Sequence, residues 1–340
     1  MIEFNKRIII ERDAIFELNC LLKNNKAIFV SSKSLKLIFK DCLDKLDFKT
    51  TIFYDVEDYS LETAYNLSFI CTCNHIDLII AFGGGTINDV CKLSAHYCSK
   101  KLVSFPTIVS NDGLCSPISV LQIKNGLTEG IDSKSPDMVI IDTNVIKNAP
   151  KKFLKAGICD VLSNFSALQD WELACTRGKE SRNDLSKMLS NCAFWNLYNM
   201  RMDTEDDIKI KLVCESVILS GISMELKGNT RPCSGAEHLF NHALVSRYPN
   251  IQILHGYLVG LGSLCTSYFR NNGYNKILKF LKKYDIDIRP VTLGISKDVF
   301  IDCWLNAIST RPNRYTILNE IELNYDLLSE LYDKINKEDL

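Results

Sequence analysis

The patterning of this chain predicts an α/β Rossmann-like N-terminal domain followed by an all-α C-terminal domain. Three observations carry that expectation. Short continuous apolar runs alternate with helix-period segments over residues 1–150, and a glycine cluster follows one of those runs. Beyond Asn148-Ala-Pro150 the β-branched runs give way to long helical periodicity. The runs are Ala27-Ile-Phe-Val30, Thr51-Ile-Phe-Tyr54, Asp77-Leu-Ile-Ile-Ala-Phe82, Leu102-Val-Ser-Phe105 and Met138-Val-Ile-Ile141. Unbroken apolar strands of this kind are buried on both faces, as in a parallel sheet. Between them Ile87, Val90, Cys91, Ser94, Ala95 and Cys98 recur at helical spacing, so strand, helix and strand follow in the order that right-handed crossovers require. The segment from Val120 to Glu129 departs from this pattern. Its Asn125-Gly126 is the preferred pair of a two-residue hairpin turn, which predicts a small antiparallel excursion. In residues 151–340, helices are expected over 153–177, 184–202, 204–226, 236–245 and 255–271, and in the tail from Ile317, while Asn271-Asn-Gly-Tyr274 and Arg311-Pro-Asn-Arg314 read as ordinary loops.

A length of 340 residues, at roughly 150 per domain, agrees with two domains. The 40 basic and 41 acidic residues nearly cancel and form no basic stripe, which removes the electrostatic footprint of a nucleic-acid binder and favours a small-molecule partner. Fourteen cysteines are scattered through apolar segments without framework spacing, as reduced cytoplasmic core residues are. Cys71-Thr-Cys73 is the one close pair, and with no second pair nearby it reads as packing. The N-terminus lacks the ordered regions of a signal peptide, and no apolar run approaches the ~20 residues that span a bilayer. A cytoplasmic protein with no membrane span is expected.

Two loops follow predicted strands and carry polar chemistry. Phe82-Gly83-Gly84-Gly85-Thr86-Ile87-Asn88-Asp89 opens a helix, the setting in which glycine lets a backbone approach a pyrophosphate and helix N–H groups bind it. Asn88 leaves the fingerprint G-x-G-x-x-G incomplete, and a plain tight turn is the competing reading. The second loop, Phe105-Pro-Thr-Ile-Val-Ser-Asn-Asp112-Gly-Leu-Cys-Ser-Pro117, is rich in hydroxyl, amide and carboxylate groups, as expected where βα loops converge; a Pro- and Gly-punctuated turn is its bland alternative.

Three of the five histidines, His238, His242 and His255, lie close together in the sequence. A catalytic transition-metal site takes about three protein ligands and an open position. His238 and His255 are candidates, and Asp160, an acid on the apolar stretch Gly157-Ile-Cys-Asp160-Val-Leu-Ser-Asn164, offers the third. Taken singly, the aspartate reads as a helix cap and each histidine as an ordinary hydrogen-bonded side chain. His242 stands one helical turn after His238. It is a fourth ligand, a proton relay or a histidine bonded to a neighbouring backbone group. The pair does not form H-E-x-x-H, so a protease is disfavoured.

Gly83-Gly-Gly-Thr-Ile-Asn-Asp89-Val-Cys-Lys92, Pro106 to Pro117, Gly157 to Asn164 and Arg231-Pro-Cys-Ser-Gly-Ala-Glu-His238-Leu-Phe-Asn-His242 occur here in an order and spacing that resemble the iron-containing alcohol dehydrogenase and dehydroquinate synthase-like superfamily. Within it the chain resembles the sn-glycerol-1-phosphate dehydrogenases, from the first strand to about residue 270. The resemblance implies a dehydroquinate synthase-like fold, with residues 1–150 binding the dinucleotide and residues 151–340 binding the metal and carrying catalysis. It implies NAD(H) or NADP(H) held by Gly84, Gly85, Thr86 and Asp89 at the pyrophosphate and ribose, and by Thr107, Ser110, Leu114 and Ser116 toward the nicotinamide. It also implies a divalent metal on Asp160, His238 and His255, with Asp112 at the substrate hydroxyls. Several iron-dependent relatives carry a histidine one turn after the aspartate, where this chain has Asn164, so zinc is expected over iron or nickel. Where many NAD-specific relatives end a strand with an acid, this chain has Ser31-Ser-Lys33, which implies tolerance of NADPH with Lys33 near its extra phosphate.

The activity implied is reversible NAD(P)H-linked reduction of dihydroxyacetone phosphate to sn-glycerol 1-phosphate by a homo-oligomer. Asp112 and His242 would be the catalytic groups, His242 delivering the proton, and Asp112, Asp160 and Arg231 would contact the substrate, Arg231 at its phosphate. Glycerol dehydrogenase or another polyol dehydrogenase is the alternative within that chemistry, and a catalytically silent nucleotide-binding protein the alternative outside it.

Overall fold

The computed structural model describes residues 6–123 and 128–340, so the Asn125-Gly126 turn lies outside the described residues. The chain forms two compact units, one comprising Met1–Lys151 and Glu205–Gly221, the other Lys152–Thr204 and Ile222–Leu340. Among the described residues no helix is long and apolar enough to cross a membrane.

In the first unit the strands are β1 (Arg7–Glu11), β2 (Ala27–Ser31), β3 (Ile52–Asp55), β4 (Leu78–Gly83), β5 (Lys101–Pro106), β6 (Ile118–Gln122), β7 (Thr128–Asp132) and β8 (Met138–Asp142). Six of them build one parallel sheet in the order β1-β8-β5-β4-β2-β3. The apolar runs sit in it because both faces are covered. Ala27, Phe29, Leu78, Ile80 and Phe82 enter one core with Leu18, Leu22, Phe105 and Ile140. Ile28, Val30, Ile79 and Ala81 enter the opposite core with Ile87, Val90 and Cys91. This two-sided alternation is the period of the strand itself. β6 and β7 pair antiparallel, from Ile118 opposite Asp132 to Gln122 opposite Thr128, which is the expected excursion.

Sequence patterning missed β1. It pairs in parallel with β8 at the sheet edge, its three isoleucines are flanked by Arg7 and Glu11, and only Ile10 of its residues is buried. An edge strand lacks the two-sided burial that makes its neighbours conspicuous. Strand order reverses between β2 and β4. The chain leaves β2 toward β3 on one side and β4 toward β5 on the other, so the loops after these two adjacent strands diverge. A crevice at the carboxyl ends is the usual consequence of such a switch point. Ser31 ends β2 there and Lys33 follows it, and Gly83 ends β4 with Gly84 and Gly85 following it.

The second unit is helical, with helices Asp184–Asn199, Ala236–Arg247, His255–Phe269, Tyr274–Lys283, Lys297–Asn306 and Tyr325–Asn336, together with almost all of Lys151–Thr176 and the end of Asp206–Lys227. The helices Tyr274–Lys283 and Lys297–Asn306 were not anticipated, and the expected helix from Ile317 is a short 3-10 turn followed by Tyr325–Asn336. The stretch Glu205–Gly221 belongs to the first unit, although its pattern reads as part of the helical region. Gly221 explains the close fit: a Cβ there would lie 2.9 Å from the Cβ of Cys115 and 3.2 Å from the Asp112 carbonyl oxygen.

Glycines also set the contacts that matter most in the helical unit. A Cβ on Gly256 would stand 1.9 Å from the carbonyl oxygen of Ala156, one on Gly260 3.2 Å from the Cβ of Cys159, and one on Gly262 2.7 Å from the carbonyl oxygen of Glu237. The helix His255–Phe269 therefore touches Lys151–Thr176 and Ala236–Arg247 backbone to backbone.

Candidate cofactor and metal sites

In the first unit the helix Gly85–Cys98 begins directly after β4, with Gly84 as its N-cap and no side chain capping it. Its first N–H groups are thereby left for another acceptor, and the helix dipole favours an anion there. Asn88, whose presence breaks the glycine fingerprint, turns out to pin the loop. Its amide donates to the carbonyls of Gly83 (3.1 Å) and Gly84 (3.0 Å), and its Oδ1 accepts from the Ser104 hydroxyl at 2.6 Å. Gly84 and Gly85 are partly exposed and Thr86 is exposed.

Lys92 is fully buried on the same helix and holds the second loop. Its Nζ donates to the Gly113 carbonyl at 2.7 Å and to the Ile118 carbonyl, and it pairs with Asp89 at 2.8 Å. Burial raises the Asp89 pKa, and the Lys92 charge opposes that rise. Asp89 is therefore committed to a partner within the protein. Lys92 closes the glycine-loop motif in the sequence, but its spacing alone does not show that it holds the second loop. Asp112 begins the 3-10 turn Asp112–Leu114, capped by Asn111, whose Oδ1 accepts from the Gly113 N–H at 2.9 Å. The Thr107 N–H donates to the Gly83 carbonyl at 3.2 Å, which ties the two loops together. Thr107, Leu114 and Ser116 are buried and Ser110 is partly exposed. Ser31 is buried and its hydroxyl has no partner among the described residues, whereas Lys33 is exposed and 3.3 Å from Glu57.

In the second unit, Asp160, His238 and His255 each offer a ligand atom, and these atoms lie within 4.8 Å of one another. Nε2 of His255 is 3.4 Å from Oδ1 of Asp160, and the two imidazole centroids are 5.0 Å apart. Asp160 is buried on the helix Lys151–Thr176; His238 and His255 stand in the first turns of their own helices. Gly256 and Gly260, packed on Ala156 and Cys159, bring His255 onto the turn that bears Asp160.

The donor set suits a divalent transition metal: one carboxylate and two imidazoles. Protonation states agree. Burial, reinforced by the His255 charge, holds the His238 pKa well below its ordinary value, and Asp160 opposes that shift. A neutral imidazole is the form that ligates. His238 Nδ1 lies 2.9 Å from Oε1 of the wholly buried Glu237, the same oxygen that accepts from the Gly235 N–H. Donation from Nδ1 leaves the Nε2 lone pair for a metal, the usual way an outer carboxylate orients a ligating histidine. Burial raises the Glu237 pKa, countered first by the Gly235 N–H. Asp170, also unforeseen, accepts from the N–H groups of Ala236 (2.7 Å) and Ile317 (2.6 Å) and pairs with Arg270. Gly235 is required beside it, since a Cβ there would be 2.5 Å from Asp170 Oδ2.

His242 does not join the three donors, which are the only such group among the described residues. Burial, then the Arg311 charge, depresses its pKa well below the ordinary value. Asn164 donates its amide to the Ser190 carbonyl at 3.3 Å. Arg231 is buried and engaged: its Nε donates to Glu180 at 3.2 Å and its Nη1 to the Tyr315 carbonyl at 2.7 Å.

Residues 9–150 match the family model for iron-containing alcohol dehydrogenase. A protein of Sulfurisphaera tokodaii named glycerol-1-phosphate dehydrogenase [NAD(P)+] is 32% identical over 89% of this chain and 85% of its own length. A Nitrosopumilus maritimus protein of the same name is 30% identical over 94% and 92%. The chain belongs to the iron-containing alcohol dehydrogenase family. The fold of this family member agrees with that of Schizosaccharomyces pombe glycerol dehydrogenase, with a TM-score of 0.77 at 20% identity over 99% of this chain and 90% of the other. It likewise agrees with Bifidobacterium kashiwanohense sulfoacetaldehyde reductase, solved in complex with NAD+, with a TM-score of 0.76 at 15% identity over 100% and 99%.

Proposed function

We propose that this family member is an NAD(P)-dependent alcohol dehydrogenase that reduces dihydroxyacetone phosphate to sn-glycerol 1-phosphate, reversibly, with a divalent metal on Asp160, His238 and His255. The observation that carries the proposal is the convergence of these three donors within 4.8 Å, in a chain whose relatives bear the name glycerol-1-phosphate dehydrogenase. When bound, the metal supplies Lewis-acid polarisation of the ketone oxygen and the nicotinamide supplies the reducing equivalent. Three protein donors without a fourth histidine favour zinc.

The chain's own residues do the rest. Asp160 provides the negative donor, and Glu237 fixes the His238 ring so that one nitrogen faces inward. His242, kept neutral by burial and the Arg311 charge, can pass a proton toward the product oxygen by accepting at one ring nitrogen as the other donates. The uncapped N-terminus of the helix Gly85–Cys98 receives the pyrophosphate at Gly84, Gly85 and Thr86. Asn88, Lys92 and Asp89 hold that loop and its neighbour rigid, with Thr107, Ser110, Leu114 and Ser116 toward the nicotinamide half and Asp112 toward the substrate hydroxyls. Ser31 and Lys33, at the end of β2, favour acceptance of NADPH. A reducing cytoplasmic setting fits cysteines that are all unpaired.

The test is a substrate screen on metal-reconstituted protein with NADH and NADPH, followed by chiral analysis of the product and metal quantification of wild type and His238→Ala. The expected product is sn-glycerol 1-phosphate, with metal and turnover lost together in His238→Ala. A product other than a glycerol phosphate, or equal use of unphosphorylated dihydroxyacetone, overturns the substrate assignment; full turnover in metal-free His238→Ala overturns the metal role.

A further inference from the structure

The segment Arg311-Pro-Asn-Arg314, an ordinary loop by its sequence, borders a cavity of about 340 Å³ lined by Glu180, Asn229, Arg231, Arg311, Pro312, Asn313 and Arg314. Three guanidinium groups thus face one carboxylate, and that carboxylate is already saturated. Glu180 Oε1 accepts from Lys227 (3.0 Å) and the Ser181 N–H (2.9 Å), while Oε2 accepts from Arg231 Nε at 3.2 Å. Among the described residues Arg314 has only neutral acceptors, the Ser234 carbonyl at 2.7 Å and the Thr230 hydroxyl at 2.8 Å. The Arg311 carbonyl accepts from the Arg314 N–H at 2.9 Å, but the Arg311 guanidinium has no hydrogen-bonding or ionic partner among the described residues. Leaving a half-buried guanidinium with no anion is costly unless a ligand supplies one, and a planar fork of donors matches phosphate oxygens two at a time.

We propose that this cavity seats the phosphate of the substrate, with Arg311 as the group that grips it and Arg314 as the supporting cation. The inference deepens the proposed dihydroxyacetone phosphate reductase and rests on that reading for the identity of the ligand. It also replaces Arg231, the cation that the sequence motif suggested, because Arg231 is tied to Glu180 and Tyr315 and serves to hold the loop. Charge distribution agrees. Burial, then the charges of Arg231 and Arg311, draw the Arg314 pKa down to about 9, as expected where cations crowd without a counter-ion. The cavity also adjoins the segment that carries a metal ligand: Arg314 Nη1 donates to the carbonyl of Ser234, which stands four residues before His238 at the start of the same turn into the helix Ala236–Arg247.

The experiment uses metal-loaded, full-length wild type, Arg311→Gln and Arg311→Lys. It measures calorimetric binding of inorganic phosphate, and kcat/KM for dihydroxyacetone phosphate relative to dihydroxyacetone, with thermal melts to verify folding. Expected are phosphate affinity and a phosphorylated-over-free preference that both fall about tenfold or more in Arg311→Gln, with partial recovery in Arg311→Lys, which keeps the charge and loses the fork. Unchanged phosphate binding together with an unchanged preference in a folded Arg311→Gln overturns the assignment. If wild type does not reduce dihydroxyacetone phosphate yet binds phosphate through Arg311, the functional reading fails while the cavity assignment stands. If it reduces the phosphorylated ketone and Arg311→Gln alters neither measurement, the reverse holds.

Discussion

The glycine loop of the first unit and the histidine cluster of the second both gather residues from separate elements, but by opposite means. The loop is held by buried polar side chains: Asn88 across Gly83 and Gly84, and Lys92 across Asp89, Gly113 and Ile118. The cluster is held by absent side chains, since Gly256, Gly260 and Gly262 let one helix close onto two others until Asp160, His238 and His255 meet. In the loop the side chains satisfy one another and leave backbone N–H groups for a ligand. In the cluster the side chains themselves await the ligand. Damage to the first should appear mainly as lost stability, and damage to the second as lost metal.

The sharpest way to break this contrast is Gly256→Ala. The added methyl would meet a backbone carbonyl at 1.9 Å, which cannot swing aside as a side-chain tip can, so the helix must retreat and carry His255 from Asp160. Overpacking of this kind costs about 1–3 kcal/mol of stability. Loss of the metal should lower turnover by on the order of a thousandfold, since Lewis-acid polarisation is worth several kcal/mol. Metal stoichiometry and kcat measured on the folded variant check this, and normal metal content would show that glycine contact is not what assembles the site.

Lys92→Met tests the other half. Removing the buried cation strands Asp89 and frees the Gly113 and Ile118 carbonyls, so a loss of about 3 kcal/mol is expected in a denaturant melt. Metal content should be retained. A variant as stable as wild type would mean that the pair is dispensable to the loop.

How much of this contrast the sequence made legible follows from the same physics. Strands β2, β4, β5 and β8 stand out because two-sided burial demands unbroken apolar runs; of the two edge strands, β3 still shows as the run Thr51 to Tyr54, whereas β1 is cut to three isoleucines between Arg7 and Glu11. The three ligands were discernible because a buried acid and clustered histidines are unusual residues to find in apolar surroundings. The glycines that bring them together were not, since a helical glycine shows its purpose only when the carbonyl it faces is known. In the sequence Asn88 reads as a missing glycine and Arg311 as part of an ordinary loop, while Lys92 only closes the glycine-loop motif. Their roles depend on which carbonyls or cations lie nearby, and sequence spacing does not carry that information.

A smaller effect concerns acid sensitivity. Burial, then the Arg311 charge, holds the folded His242 pKa well below normal, so as pH falls through about 6.5 the unfolded imidazole takes a proton that the folded one refuses. The unfolded state then binds more protons, and stability declines on acidification until the folded pKa is reached. Glu237 and Asp170, whose pKa values are raised by burial, act in the opposite direction, so the difference between proteins is the informative quantity. In metal-free protein, His242→Gln should flatten the acid-side decline relative to wild type, by at most about 1.4 kcal/mol per pH unit. Parallel curves between pH 7 and pH 5 would remove His242 from the group of buried neutral histidines.

The smallest effect is expected at the rim of the loop region, where charges are solvated. Lys33 follows β2 beside the switch point and its ammonium lies 3.3 Å from Glu57, with both side chains largely exposed. An exposed pair of this kind is worth well under 1 kcal/mol, so Lys33 is free to turn to a 2′-phosphate without a structural penalty. Lys33→Ala should therefore raise KM for NADPH roughly threefold while leaving KM for NADH and the melting temperature unchanged, since the unphosphorylated ribose has no charge for the ammonium to meet. Equal losses with both cofactors would place Lys33 in the general support of the loop. The rim would then obey the same internally satisfied logic as Lys92, and the contrast between the two regions would extend to the protein surface.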